Sequence, residues 1–200
     1  ALAKKQLQTV TESSDRWKEF LRTAAIAYNY SFPNQLLIYA QNPTATAVAD
    51  MDYWNKNAGR RVKRGAHGTA VFDTRANSPR LRYLFDISDT IPIHEISEAL
   101  PWAVTDQNWK PVWDKIIVDN HADSIQSALL MISTSYVAQR SAMFTTALEK
   151  AVDGSSLQWA KPNEQRRLFL QIVTQSCLYM AALRCGVDTA RLDLSALESV

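Results

Sequence analysis

The chain has 200 residues, 46% of them hydrophobic and six of them tryptophan, enough for a buried core in one domain or in one domain with a helical extension. Its formal charge of +2 excludes a generally basic protein, so any nucleic-acid binding must rest on a local patch. No run approaches the length of a membrane-spanning helix and no signal peptide is visible, so no membrane partner is expected.

Residues 1–11 read as a short or frayed helix. Ser13, Ser14 and Asp15 can cap the next one, where Trp17, Phe20, Leu21, Ala24, Ala25 and Tyr28 fall on one apolar stripe. Pro33 and Pro43 bracket Asn34–Asn42, and Leu36 to Ala40 are apolar without interruption. Periodicity there fits a buried helix and a buried strand equally. Tyr28, Tyr30 and Tyr39 read as packing groups with a polar tip. After an extended connection over Ala45–Ala49, Asp50 can cap a short helix that carries Tyr53 and Trp54 and stops at Gly59.

The segment that follows is the most distinctive. Arg60, Arg61, Lys63 and Arg64 crowd together before Gly65-Ala66-His67-Gly68, whose two glycines admit bends a side chain would obstruct. Two strand-like runs follow, Thr69–Thr74 and Arg80–Phe85, joined by Asn77-Ser78-Pro79, a turn signal. Arg61–Arg64 can add a third, shorter strand to the pair. In the second run Arg80 and Arg82 alternate with Leu81, Tyr83 and Phe85. A period of two predicts arginines on one face and apolar groups on the other. From Arg60 to Arg82 there are seven Lys or Arg against one acid, Asp73, so the rest of the chain is net negative although the total is +2. Such a separation of charge marks a candidate anion-binding surface.

From Thr90 onward the character changes. Pro92 and Pro101 flank a polar, acidic connection that includes His94, Glu95 and Glu98. Helical stripes then run through Trp109, Val112, Trp113, Ile116 and Ile117, and through Ile125, Ala128, Leu129, Ile132 and Tyr136. A third, through Met143, Phe144, Ala147, Leu148 and Ala151, ends at Gly154. The longest helix follows Pro162 and ends at Gly186, and residues 188–200 read as a short polar tail.

Asn34-Gln35-Leu36-Leu37, Trp54, Gly59, Val62-Lys63-Arg64-Gly65, Gly68 and Leu84-Phe85-Asp86-Ile87-Ser88-Asp89-Thr90, taken in order, resemble the N-terminal single-stranded-DNA-binding domain of ArdC-type antirestriction proteins. The longer run Ser31–Pro43 resembles the version found at the front of large proteins of conjugative and other mobile elements. The match covers roughly residues 15–90, and the zinc-peptidase-like half of that family is not evident. The resemblance favours a helix over Asn34–Asn42, with Asn34 as its cap. It implies single-stranded DNA as partner and antirestriction, the protection of entering DNA from nucleases, as role.

The expected fold is therefore α+β over residues 12–91, with helices packed on a small antiparallel sheet. A connection over 92–108 and an all-helical region over 109–200 complete it. The candidate nucleic-acid contacts are Arg60, Arg61, Lys63, Arg64, His67, Arg75, Arg80 and Arg82, with Tyr53, Trp54 and Tyr83 as stacking groups. Lys and Arg give salt-dependent phosphate affinity, and aromatic faces stack unpaired bases with little sequence preference. Trp54 has a second reading as a core anchor, and His67 one as an exposed loop residue.

No catalysis, cofactor or metal is expected. Four residues after His94 stands Glu98 rather than a second histidine, no phosphate-binding loop of nucleotide enzymes occurs, and no nucleophile sits beside a base. Cys177 and Cys185 are too far apart on one helix to bridge, which suits a reduced, cytoplasmic protein. The function expected is non-specific single-stranded-DNA binding. The alternative is a docking module for other domains of a larger parent protein or for a host protein.

Overall fold

The computed structural model describes residues 2–73, 80–93 and 104–199. They form an α+β protein in two compact units, Ala1–Thr11 with Lys18–Ala103, and Glu12–Trp17 with Val104–Val200.

In the first unit the order is α1 (Leu2–Val10), α2 (Ser14–Ile26), α3 (Phe32–Gln41), β1 (Val48–Ala49), α4 (Met51–Lys56), β2 (Arg60–Val62), β3 (Thr69–Phe72), β4 (Leu81–Asp86), a 3₁₀ turn (Ile87–Asp89) and β5 (Thr90–Pro92). The first turn of α2 belongs to the second unit. Helix α1 is a firm element whose last residue, Val10, is fully buried. Helix α2 buries Phe20, Leu21, Ala24 and Ala25 as the stripe predicts, but it ends at Ile26 and leaves Tyr28 exposed. The other two tyrosines pack with satisfied hydroxyls: Tyr39 donates to Glu19 at 2.8 Å and Tyr30 to the Val48 carbonyl at 3.2 Å.

The stretch after Pro33 is a helix, and it starts earlier than expected. Ser31 is its N-cap in an extended conformation, and Pro33 sits in the first turn, where a missing N–H costs nothing. Asn34 is thereby freed from capping. Its side chain is buried against β3, where Nδ2 donates to the Phe72 carbonyl and Oδ1 accepts from the Phe72 N–H, both at 2.9 Å. Seven residues on, Gln41 repeats the arrangement on Ala70, at 2.9 and 3.0 Å. Strand β3 is the edge of a three-stranded sheet of order β1-β4-β3, so two amides of α3 satisfy backbone groups that the sheet leaves unpaired.

Register fixes the faces of that sheet. Thr69 lies opposite Leu84, Ala70 opposite Tyr83, Val71 opposite Arg82 and Phe72 opposite Leu81; β1 sets Val48 opposite Asp86 and Ala49 opposite Phe85. Val71 and Leu84 are both fully buried and pack with Ala27, Leu37, Ile38 and Ala45, so the inner face lies against α3 and the residues that follow α2 and α3. Arg82 shares their face by strand parity. The opposite face carries Ala70, Phe72, Leu81, Tyr83 and Phe85. The two faces alternate as expected, but the one that carries Arg82 is turned inward and the apolar set faces outward, while Arg80, just before the strand, is exposed. The inward cation is held: Arg82 Nη1 lies 3.5 Å from Asp50 Oδ2, and its guanidinium sits 5.4 Å from the centroid of the Tyr30 ring.

Among the described residues, the outward face has a hydrophobic core over it only at the end near Phe85. There Trp54, Ala49 and Ala58 form a second small core with Val62, Phe85 and Ile87 around them. Strand β2 does not join the hairpin. It pairs antiparallel with β5, a strand hidden in what reads as the start of a connection, with Arg61 opposite Ile91.

The second unit is helical: α5 (Trp109–Asp119), α6 (Ile125–Gln139), α7 (Ser141–Ala151) and α8 (Pro162–Arg184), followed by 3₁₀ turns at Thr189–Arg191 and Ser195–Ser199. Its core joins Ile125 and Leu129 to Leu178, Ala182, Cys185 and Val187, with Trp113 donating to the Cys185 carbonyl at 2.7 Å. On α6 the small Ser133 is buried, and the expected stripe members Ile132 and Tyr136 are exposed. All the buried residues of α8 lie between Ser176 and Ala182. The tail is no free polar extension, because Leu197 is fully buried and Gln175 Oε1 accepts from the Ala196 and Leu197 amides at 2.7 and 3.3 Å. No described helix is long and apolar enough to cross a membrane.

Candidate nucleic-acid interface

The basic segment begins where Asp50 caps α4 by accepting from the Tyr53 amide at 2.8 Å. The helix ends within two turns, and β2 runs along β5 as a ribbon that backbone bonds extend at both ends: Ile93 N to Gly59 O and Lys63 N to Asp89 O, each 2.8 Å. Alternation along β2 leaves Arg61 exposed between half-buried Arg60 and Val62. Arg60 is held by Thr90, with Nε 2.6 Å from its hydroxyl, and the Lys63 ammonium donates to the Ser88 carbonyl at 2.6 Å. Neither contact neutralises charge. Arg60, Arg61, Lys63 and Arg64 make no ion pair among the described residues.

The chain then turns at Gly65, whose φ of +83° is one that L side chains rarely adopt. Arg64 and His67 are exposed on this turn. Gly68 closes it against the sheet: a Cβ there would stand 2.8 Å from Tyr83 Cβ and 3.1 Å from the Phe85 ring. The basic turn therefore runs directly onto the outward face of the β3–β4 hairpin, beside Tyr83.

That face is open. Tyr83 is 56% exposed, Leu81 57% and Phe72 47%. Among the described residues neither Tyr83 nor Phe72 has a ring partner, and the Tyr83 hydroxyl has no hydrogen-bond partner. Beside Tyr83 in the register stands only the methyl group of Ala70. At the far end of the hairpin Arg80 is exposed, and its carbonyl accepts from the Asp73 amide at 2.8 Å.

Two of the expected contacts lie elsewhere. Trp54 is fully buried and its indole donates to the Phe85 carbonyl at 2.9 Å, so it anchors the core and offers no ring face to a base. Arg82 points to the inner face and is committed to Asp50 and Tyr30. Tyr53 remains partly exposed, packed edge-on to Trp54 with ring centroids 5.8 Å apart. Arg75, the turn at Asn77-Ser78-Pro79 and the acidic group His94, Glu95 and Glu98 lie outside the described residues.

Phe72 and Leu81 are surface residues on the face of Tyr83, and neither is among the contacts expected from the sequence. The signal that finds them is Leu84, which shares its parity with the arginines and must be buried. Asp86 has the same parity. Its buried carboxylate accepts from the amides of Thr46 (2.7 Å), Ala47 (2.9 Å) and Ser88 (3.0 Å). Burial pushes its pKa up, but those backbone donors together outweigh burial and hold the carboxyl below its ordinary value.

The described residues contain no cluster of three or more His, Cys, Asp or Glu that could hold a metal ion. Burial pushes both thiols up, at Cys185 against a partial lowering by Arg184, which leaves neither disposed to act as a thiolate nucleophile. No protein-family model matches the chain, and no curated protein and no solved structure is significantly similar to it.

Proposed function

We propose that this chain is a non-specific single-stranded-DNA-binding module without catalysis of its own, serving an antirestriction-like role within a mobile-element protein. The observation that carries the reading is the basic turn: exposed cations at Arg61, Lys63 and Arg64, free of ion pairs among the described residues, run straight onto an open aromatic face. Unneutralised cations attract phosphates and release counterions on contact. Open rings stack bases, and a base is available for stacking only when it is unpaired. The role in antirestriction rests on the sequence resemblance alone.

Labelled oligonucleotides titrated at several salt concentrations, with duplex of equal length as competitor, test this. Affinity should fall steeply with salt, and the single strand should bind about tenfold or more tightly than the duplex. Equal affinity for both would reduce the surface to a plain electrostatic one, and absence of binding at low salt would remove the proposal.

A second reading, a protein-docking module, is favoured by the helical unit, where Trp159 is 88% exposed, Val118 68% and Met143 59%. Binding of that kind would be nearly insensitive to salt and would leave the basic turn unaffected.

A further inference from the structure

We propose that the outward face of the β3–β4 hairpin is a two-position base-stacking site, with Phe72 and Tyr83 as its platforms and Leu81 as the apolar wall between them. The inference rests on the single-stranded-DNA reading and adds to it which surface touches the bases and how many it takes. Phe72 pairs with Leu81 and Ala70 with Tyr83, so the two rings occupy diagonal positions of one pleated face. Diagonal neighbours of this kind stand about 7–8 Å apart, close enough for one strand to reach both, and among the described residues no ring contact joins Phe72 to Tyr83. The small groups on the same face, Gly68 and Ala70, leave the flank of Tyr83 uncovered.

The face stays in place when it is empty. The amides of Asn34 and Gln41 clamp the backbone of Phe72 and Ala70 along the β3 edge, so the strand that carries Phe72 is held from that side. Little ordering is left for the moment of binding.

Charge selects the occupant. An apolar face of three side chains could also take a peptide, but this one is bounded beside Tyr83 by the exposed cations of the basic turn, which make no ion pair among the described residues. A run of cations leading onto an aromatic strip matches a chain that carries phosphates along its length and flat apolar groups to one side. The partner that fits is a run of unpaired nucleotides.

The test measures fluorescence anisotropy of labelled oligothymidylates and of matched strands in which abasic residues replace thymidine. Phe72→Leu and Tyr83→Leu keep apolar bulk and remove the ring, and Tyr83→Phe keeps the ring. Each leucine variant should weaken thymidylate binding about tenfold with the slope against log salt unchanged, and Tyr83→Phe should bind as the unaltered protein does. The abasic strand should bind weakly and equally to all of them. Circular dichroism and melting of every variant confirm that the hairpin is folded. Leucine variants that bind thymidylate as tightly as the unaltered protein, or an abasic strand that binds as well as thymidylate, would overturn the stacking site while leaving salt-dependent binding through the basic turn standing. If the unaltered protein binds no oligonucleotide at low salt, the inference and the function beneath it fall together.

Discussion

The amide of Asn34 pairs with both backbone groups of Phe72, as a neighbouring strand would. A helix side chain thus closes a sheet edge, and the residue whose backbone it fixes presents its ring to the outside. Asn34 is therefore a scaffold residue, one step behind the surface.

Its removal should be costly. Asn34→Ala strands a buried N–H and a carbonyl on Phe72, and each group left without a partner costs about 1–3 kcal/mol. Gln41→Ala exposes the equivalent groups of Ala70 to water, because Gln41 itself is exposed. Chemical denaturation should rank the two, with Asn34→Ala clearly the less stable. Equal losses would show that the edge bonds do not depend on burial.

Asp86 sets an acid limit. Its folded pKa lies below the ordinary value of 3.8, so its stabilisation is fully present above that value and is lost as pH falls through the folded pKa. Denaturant midpoints measured from about pH 6 down to about pH 2 should fall for the unaltered protein in that acid window. Asp86→Asn should be less stable at neutral pH and show a shallower acid decline. A decline of the same steepness would assign the acid limit to other carboxylates.

Trp54 tests which aromatic groups belong to the core. Trp54→Ala should destabilise by about 3–5 kcal/mol, the usual range for emptying a buried Trp or Phe site. Trp54→Phe keeps most of the packing and loses the bond to the Phe85 carbonyl. Provided it is folded, this variant should bind oligonucleotides as the unaltered protein does, since the ring is fully buried. Weakened binding with an intact fold would return Trp54 to the surface.

The cations have a separate signature. Changing Arg61, Lys63 and Arg64 together to alanine should weaken binding about uniformly across sequences and lower the salt slope by roughly 0.7 for each phosphate contact removed. An unchanged slope in a folded variant would place the phosphate contacts elsewhere.

The architecture was largely legible from the sequence, because helices with a repeating apolar stripe and strands beside glycines leave strong patterns. The inversion of β4 shows where pattern reading fails. Its alternation offers two consistent faces, and Arg80 with Arg82 looks like the wet one until Leu84 and Asp86 are counted on the same side. What decides is tertiary: Asp50 and Tyr30 meet Arg82 from distant positions and make an inward cation tolerable. Strand β5 escaped notice because three residues ending in a proline carry no periodicity. Within the candidate site, the basic turn was legible from composition alone. Phe72 and Leu81 were not, since exposure of apolar residues follows from what fails to cover them.

Helix α8 carries a gradient along its length. Its buried residues are confined to Ser176–Ala182, whereas the turns after Pro162 bury none. Opening free energy follows buried contacts, so backbone amides near Leu183 should exchange with solvent only on wide unfolding, and those near Leu168 through small local fluctuations. The first half of the helix can therefore come and go on a timescale of its own while the second half holds the bundle.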